Sequence, residues 1–325
     1  MPEWLVEEGI GEHRALCFAG EDVIAAMIDW PGQLAPGQVE NAVLVSKVRN
    51  ATRGRARFAS GEEALVDRLP RDASEGAEMR FEVLRTRFDE RGRIKLAQAR
   101  PTDKPERPAP TLFETLQQRG NNVRIVRNFP GDDWEEIWSE AWCGFYDPPC
   151  CSLHFTTAPA MTVIDVDGRS APRELALAAA EGLGRALPRF DLRGSVGIDF
   201  PTLTEKADRR AVDGALEKAL ADWPHERTAM NGFGFVQIVS RLERPSIIHR
   251  VQQGRVGAAA RLLMRRVCED PGMPGDLLVT CHPAVRARLK PEWIEEAKRR
   301  TGREIRLESD PGLALDGGFA QAVPR

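Results

Sequence analysis

Two aspartates stand at the ends of two short apolar runs, where their side chains are well placed for chemistry. Asp165 lies in the segment 161–168, and Asp199 lies in the segment 195–201. Because a strand is rigid and its end is accessible, an Asp there can be held in a fixed place. Two such carboxylates on neighbouring strands suit Mg²⁺, which takes oxygen ligands and keeps several waters. The alternative interpretation is structural, since an Asp that leaves a strand also forms turns and caps helices.

The segments around these two aspartates predict alternating strands and helices. An Ala- and Leu-rich helix is predicted over 173–187, and Asp-Leu-Arg-Gly follows at 191–194. After Asp199 come a charged helix through 209–221 and an apolar strand over 233–242, with Arg-Pro-Ser at 244–246. This order places both aspartates at strand ends within one domain.

The succession of blocks resembles the catalytic region of the ribonuclease E/G family, in the same order and at similar spacing. The resemblance implies a Mg²⁺-dependent endoribonuclease, with Mn²⁺ as a substitute ion, that cleaves single-stranded RNA in processing or decay. It implies that Asp165 and Asp199 hold the metal and that Asp167 is a third catalytic residue. Hydrolysis by an activated water would leave a 5′-phosphate, as metal-assisted phosphoryl chemistry does. None of the five His residues lies within these motifs, so a His-dependent ribonuclease mechanism is not indicated.

The chain departs from the family pattern at several positions. Asp167 stands where the family has Asn, and this adds negative charge that favours a cation and repels phosphate. Gly232 and Gln237 replace an Arg and a Glu of the family, and no segment matches the Arg-Thr pair that senses a 5′ monophosphate. The Cys-Pro-x-Cys segment that shares a zinc between subunits is also missing, and 249–253 stand in its place. We therefore expect no structural zinc and a monomer or zinc-independent dimer.

A series of short strands separated by glycines predicts a small barrel of the OB type over 41–100. The predicted strands are 43–49, 55–59, 64–67, 79–84 and 93–97. Such barrels bind single-stranded nucleic acid through basic grooves and aromatic stacking. The candidate RNA-binding residues are Lys47, Arg49, Arg55, Arg57, Phe58, Arg93 and Lys95. Stacking and core packing are equally open for Phe58, and the family's second stacking aromatic is replaced by Leu65 or Val66.

The charge distribution agrees with a basic module in an acidic protein. Residues 41–100 contain 14 Lys or Arg and 9 Asp or Glu, whereas the 325-residue chain has a net charge of −3. A locally basic module suits RNA phosphates on one face. Ordinary Arg decoration of a solvated strand surface explains the same count.

The resemblance implies an α+β multidomain fold. An RNase H-like domain (1–40 and 111–158) would carry the inserted OB-type barrel (41–100). A DNase I-like catalytic α/β domain (159–255) and a small C-terminal α/β domain (256–325) would follow. A Pro-rich linker over 100–110 marks the end of the barrel, and Trp134, Trp138 and Trp142 recur at helical spacing, as in a buried helix face.

The composition indicates a globular cytoplasmic protein without a membrane partner. No apolar run approaches the roughly 20 residues that span a bilayer, and 1–4 lack the features of a secretory signal. Free buried thiols are expected of the six Cys. A metal set of Cys143, Cys150, Cys151 and His154 is an alternative, although its spacing fits no common zinc motif.

Two other functions stay open. A catalytically impaired RNA-binding protein of the same family fits the departures, since function resides in the site and not in the fold. A phosphatase of the haloacid-dehalogenase type is suggested by Asp165-Val166-Asp167-Gly168 alone, because its further motifs are not evident.

Overall fold

The computed structural model describes residues 2–90, 92–269 and 274–324. These ranges form a mixed α+β protein with 20 strands and eight helices. The strands up to the linker are β1 (Glu3–Glu8), β2 (His13–Ala19), β3 (Asp22–Asp29), β4 (Val39–Lys47), β5 (Gly54–Arg57), β6 (Glu63–Val66), β7 (Glu78–Arg85), β8 (Phe88–Glu90), β9 (Arg93–Lys95) and β10 (Ala97–Pro101).

The remaining elements alternate along the chain. They are α1 (Leu112–Gln118), β11 (Asn122–Val126), α2 (Asp133–Cys143), β12 (Phe145–Tyr146), β13 (Ser152–Thr157), β14 (Thr162–Asp167), α3 (Pro172–Arg189), β15 (Ser195–Asp199), α4 (Lys206–Ala219), β16 (Glu226–Arg227), β17 (Phe235–Val239), α5 (Ile247–Gln253), α6 (Arg255–Glu269), β18 (Asp276–Cys281), α7 (Pro283–Arg286), α8 (Pro291–Thr301), β19 (Ile305–Ser309) and β20 (Phe319–Val323).

The first sheet has the strand order β11-β1-β2-β3. Strands β1 to β3 pair antiparallel, whereas β11 follows the barrel in sequence and pairs parallel to β1. Helix α1 covers one face, where Leu112 and Leu116 pack on Val6, Ala15 and Met27. The chain therefore leaves this sheet, forms the barrel and returns to the same sheet.

The barrel closes in the order β10-β6-β5-β4-β7 because β10 pairs with both β6 and β7. Small alanines and a few large side chains, among them Leu44 and Phe81, fill its interior. A bulge between Leu44 and Ser46 requires Gly54 opposite, where an added Cβ would lie 2.2 Å from the Ser46 carbonyl oxygen. Strands are bent by such bulges, which helps the sheet to close.

The fifth strand of the barrel differs from the one predicted from the sequence. Its fifth strand is β10, and not 93–97, because β9 leaves the barrel and pairs with β8 in a separate two-stranded sheet. The linker predicted from Arg100 consequently begins after Pro101, the last residue of β10.

The central sheet has the order β12-β13-β14-β15-β17-β16. Its inner face carries Leu153, Ile164, Ile198 and Val236, which pack in one large core with α3 and α4. The three tryptophans of α2 lie in the same core, as predicted. A third sheet, β19-β18-β20, joins this core through α6 and α8. Among the described residues, no helix is both long and apolar enough to cross a membrane.

Candidate active site on the outer face of the central sheet

Strands β14 and β15 form a parallel pair that places Asp165 directly beside Asp199. Register partners in a sheet point to the same face, and neighbouring strands lie about 4.8 Å apart. Both side chains are exposed. The two aspartates singled out in the sequence are therefore immediate neighbours on adjacent strands, with Asp199 at the carboxyl end of β15 and Asp165 two residues before the end of β14.

The side chains of β14 alternate between the two faces of the sheet, and this explains why Asp165 is exposed. Thr162, Ile164 and Val166 are buried toward the helices, so Asp165 and Asp167 point away from the core. Asp167 lies two residues, or about 6.6 Å, further along the strand. Its Oδ1 accepts a hydrogen bond from the Gly168 N–H at 2.7 Å. All three aspartates thus share one exposed face of the sheet.

Among the residues that the structure describes, Asp165 and Asp199 have no cationic side chain within ion-pair distance. The ion pair that joins α3 and α4, Arg173 with Asp208 at 2.9 Å, does not involve either carboxylate. In the described ranges, no ion pair of either Asp occurs. Like charges directly opposite each other in a sheet cost roughly 0.2–1 kcal/mol. A bound cation would relieve that cost.

The described residues contain no group of three or more His, Cys, Asp or Glu side chains that could hold one metal ion. That finding covers the alternative set of Cys143, Cys150, Cys151 and His154, and the six cysteines are free thiols. Asp165 and Asp199 together offer two carboxylate ligands. Mg²⁺ is commonly bound through one or two carboxylates, with waters and substrate phosphates completing its octahedron.

The outer face continues as a row of side chains across five strands. His154 of β13 is the register partner of Asp165, and Phe145 of β12 is the partner of His154. On the other side, Phe235 of β17 is the partner of Asp199. From β12 to β17, the order of side chains in this row is Phe145, His154, Asp165, Asp199 and Phe235. The sequence associated His154 only with three cysteines, because it lies outside the Asp motifs; the alternation of Leu153 and Phe155 with polar neighbours is the signal that places it on the outer face.

A tight turn holds a second phenylalanine beside Asp199. The Asn231 Oδ1 accepts the N–H groups of Phe233 at 2.9 Å and Phe235 at 3.1 Å. Gly234 has a φ of 89°, which favours glycine, and its carbonyl oxygen accepts the Phe200 N–H at 3.1 Å. The side chain of Phe233 is 83% exposed. The turn therefore fixes the backbone of Phe233 next to the end of β15 and leaves its ring in solvent.

The ring of Phe235 lies over Gly197 on the same face. A Cβ at Gly197 would lie 2.5 Å from the Phe235 Cζ atom, so only glycine admits this close approach. The ring therefore covers β15 at Gly197, two residues before Asp199.

The barrel presents two of the predicted RNA-binding arginines on one strand. Arg55 and Arg57 alternate with buried Gly54 and Ala56 in β5, so both point outward. Glu63 of β6 pairs with Arg57 at 2.9 Å and with Arg55 at 3.4 Å. Arg49 is exposed just beyond the end of β4. Two of the predicted arginines thus share one exposed surface of β5, and one carboxylate partly neutralises their charge.

Two other predicted RNA-binding residues have structural roles. Phe58 is only 3% exposed and packs on Phe81 in the barrel core, with ring centroids 6.3 Å apart, so of the two alternatives left open for it the structure favours core packing over stacking. The Lys47 Nζ donates to the carbonyl oxygens of Pro70, Arg71 and Ala73 at 3.1, 2.7 and 2.8 Å. These contacts use all three ammonium hydrogens, which leaves Lys47 poorly suited to phosphates.

Arg93 and Lys95 lie on β9, outside the barrel strands, which corrects their predicted place on the fifth strand of the barrel. Both contact Glu90 of β8, at 2.5 Å for Arg93 Nε and 3.3 Å for Lys95 Nζ. The hairpin packs on α5 through Phe88, whose ring lies 5.9 Å from that of His249. These two cations therefore belong to a separate element.

In comparisons with known proteins, no family model and no curated protein sequence matches this chain.

Proposed function

We propose that this chain is a Mg²⁺-dependent endoribonuclease of the ribonuclease E/G type, with Mn²⁺ as a substitute ion, which cleaves single-stranded RNA. The observation that carries the proposal is the register pairing of Asp165 with Asp199 on adjacent parallel strands. Two exposed carboxylates so close together, without a cationic partner in the described ranges, are costly unless a cation binds between them.

The donor set fits a hard divalent cation. Both ligands are carboxylate oxygens at a solvent-facing site, where a Mg²⁺ ion can keep several waters. When bound, the ion would act as a Lewis acid on the scissile phosphate and lower the pKa of water. The chain would supply the two ligands and fix their separation through the strand pairing.

The RNA would be bound by surfaces on two modules. Arg55 and Arg57 of the barrel supply phosphate contacts, and Phe233 beside Asp199 offers an exposed ring on which a base can stack. In this proposal the barrel is the OB-type RNA-binding module (41–100) and the central sheet belongs to a DNase I-like catalytic domain (159–255). The sheet that the barrel interrupts would be RNase H-like, and 256–325 the small domain.

Asp167 would change how tightly the site binds a cation and a phosphate. It lies on the same face as the pair, one strand repeat beyond Asp165, and its Oδ1 is engaged by the Gly168 N–H. Its negative charge would strengthen cation binding and weaken phosphate binding compared with a neutral Asn.

End-group analysis tests the proposal directly. Incubation of the protein with Mg²⁺ and a single-stranded RNA should give internal cleavage and fragments that carry 5′-phosphate. Binding without cleavage would favour the catalytically impaired RNA-binding protein, and phosphate release from para-nitrophenyl phosphate would favour the phosphatase. Light scattering with and without EDTA tests the expected zinc-independent monomer or dimer, because a chelator would dissociate a zinc-linked assembly.

A further inference from the structure

Phe145 and His154 form an aromatic pair on the outer face of the central sheet. They are register partners on β12 and β13, with ring centroids 6.4 Å apart and an interplanar angle of 39°. Phe145 is 40% exposed and His154 is also exposed. Tyr146, on the opposite face, is instead packed edge-on against Phe190 in the core. The structure therefore partly buries one aromatic of β12 and leaves the other exposed.

The pair lies at a defined distance from the two carboxylates. His154 is one strand from Asp165 and Phe145 is two strands away, which is about 5 Å and 10 Å across the sheet. A strand of RNA that crosses the sheet along this row, with one phosphate at Asp165 and Asp199, would bring a neighbouring base over Phe145. Sheets that bind single-stranded RNA use exposed aromatics in this way.

A cavity of about 350 Å³ adjoins the Phe145 ring and is lined by Glu136, Ser139, Glu140 and Asp147. Arg189 pairs with Glu136 at 3.1 Å and with Glu140 at 2.7 Å, so one cation serves two carboxylates. Asp147 is exposed, and its Oδ1 accepts a hydrogen bond from the Ser152 hydroxyl. Since the cavity wall is acidic, it disfavours phosphate and favours a neutral group with hydrogen-bond donors.

We propose that Phe145 and His154, together with the acidic cavity, form a nucleobase subsite that stacks one base and prefers bases with an exocyclic amino group. This inference rests on the proposed function, because it places the subsite beside the cleaved phosphate. Phe145 provides the apolar surface for stacking. Asp147 accepts a hydrogen bond from the amino group, as Asp and Glu do from cytosine N4. Uracil has no such amino group and is bound less tightly.

The experiment measures RNA binding under conditions in which the RNA is not cleaved. Fluorescently labelled oligo(C) and oligo(U) RNAs of equal length are titrated with the protein in EDTA, and anisotropy gives the Kd values. We expect Phe145→Ala to raise the Kd for oligo(C) by at least about fivefold, in line with the loss of one stacked base. Phe145→Trp should restore binding. Phe319→Ala is the matched control, because Phe319 is 41% exposed on a strand of the third sheet.

A second variant tests the base preference. The wild-type protein should bind oligo(C) more tightly than oligo(U), and Asp147→Asn should reduce the ratio of their Kd values by at least about threefold, as the loss of a charged acceptor implies. Circular dichroism of each variant checks that the fold is retained. Unchanged Kd values in Phe145→Ala, or an unchanged ratio in Asp147→Asn, would overturn the subsite.

Failure of the subsite and failure of the proposed function give different results. Cleavage of RNA by the wild-type protein, with no effect of Phe145→Ala on binding, removes the subsite and leaves the nuclease. Phe145-dependent binding without cleavage keeps the subsite and removes the nuclease. A wild-type protein that binds neither oligonucleotide and does not cleave RNA in Mg²⁺ overturns both.

Discussion

Asp165 and Asp199 are register partners in a parallel pair of strands, so the sheet itself sets the separation of the two carboxylates. Rotamers of exposed side chains interchange, but the register of two strands does not change without reversing which face each side chain occupies. A pair of acidic groups fixed in this way is a permanent feature of the outer face. Its electrostatic cost and its response to cations can both be measured.

We expect that removing one carboxylate of the Asp165–Asp199 pair makes the metal-free protein more stable and removes its stabilisation by Mg²⁺. Asp199→Asn should raise the free energy of unfolding in EDTA by about 0.5 kcal/mol, since it removes a like-charge contact. It should also abolish the stabilisation by Mg²⁺, which for the wild-type protein reaches about 1.4 kcal/mol at an ion concentration tenfold above Kd. Chemical denaturation with and without Mg²⁺ measures both quantities.

The control for this experiment is Asp89→Asn, since Asp89 is an exposed strand Asp outside the site. It should leave the Mg²⁺ response intact. An Asp199→Asn protein that Mg²⁺ still stabilises as strongly as the wild type would show that the ion does not bind at the pair.

The central sheet shows how far the sequence alone predicts the site. Each run ends in Asp after alternating or continuous apolar residues, and this is enough to predict β14 and β15 and their exposed aspartates. The pairing of β13 with β14 joins segments separated by a turn and places His154 beside Asp165. The alternation of β13 indicates that His154 faces outward, but it does not specify the register of β13 with β14, so the position of His154 beside Asp165 could not be predicted.

The barrel contains a signal that sequence reasoning did not use. In β5, Arg55 and Arg57 point outward, and the alternation continues to place Phe58 inward after its strand has ended. Side-chain alternation therefore favours the core for Phe58. The fifth barrel strand was misplaced because β9 and β10 are separated by Leu96 alone, and no glycine or proline marks the break.

The buried position of Phe58 predicts a stability effect. Phe58→Ala should lower the free energy of unfolding by about 3–5 kcal/mol, because it leaves a cavity against Phe81 in the barrel core. Phe58→Leu should cost much less and leave RNA affinity unchanged. Urea denaturation and RNA titration of the two variants measure this. A Phe58→Leu protein of wild-type stability with weakened RNA binding would indicate stacking instead.

Glu63 contacts both Arg55 and Arg57, so we expect loss of its charge and reversal of theirs to change RNA binding in opposite directions. Glu63→Gln releases Arg55 and Arg57 from a carboxylate and should tighten RNA binding. Arg55→Glu with Arg57→Glu should weaken it and flatten the dependence of log K on log salt by about 0.7 for each lost phosphate contact. Titrations at several salt concentrations test both changes. Identical salt slopes in all three proteins would exclude β5 from the RNA path.

His249 predicts a loss of stability in mild acid. Burial lowers the pKa of His249 from 6.5 to about 4, and the nearby Glu90 raises it while Lys95 lowers it. Because the folded pKa lies below the unfolded value, the unfolded chain binds the proton first as pH falls. Stability is therefore fully present above pH 6.5 and falls between pH 6.5 and about 4, by at most about 3 kcal/mol from this group.

The variant His249→Gln isolates this contribution. Between pH 7 and 5, its free energy of unfolding should fall less steeply than that of the wild type, whose His249 contributes up to about 1.4 kcal/mol per pH unit. Denaturation at half-unit pH steps gives the two slopes. Parallel slopes would mean that His249 stays accessible to protons in the folded protein.

Cleavage of a labelled single-stranded RNA by the purified protein tests the central claim most directly. In Mg²⁺, the wild type and Asp89→Asn should cleave internally, and EDTA should stop the reaction. Asp199→Asn should reduce the rate at least about a hundredfold, since loss of even an outer-shell partner of a metal ligand costs about 10- to 100-fold. Cleavage by Asp199→Asn at the wild-type rate, or no cleavage by the wild type in Mg²⁺ or Mn²⁺, would contradict the assignment of this face as a nuclease site.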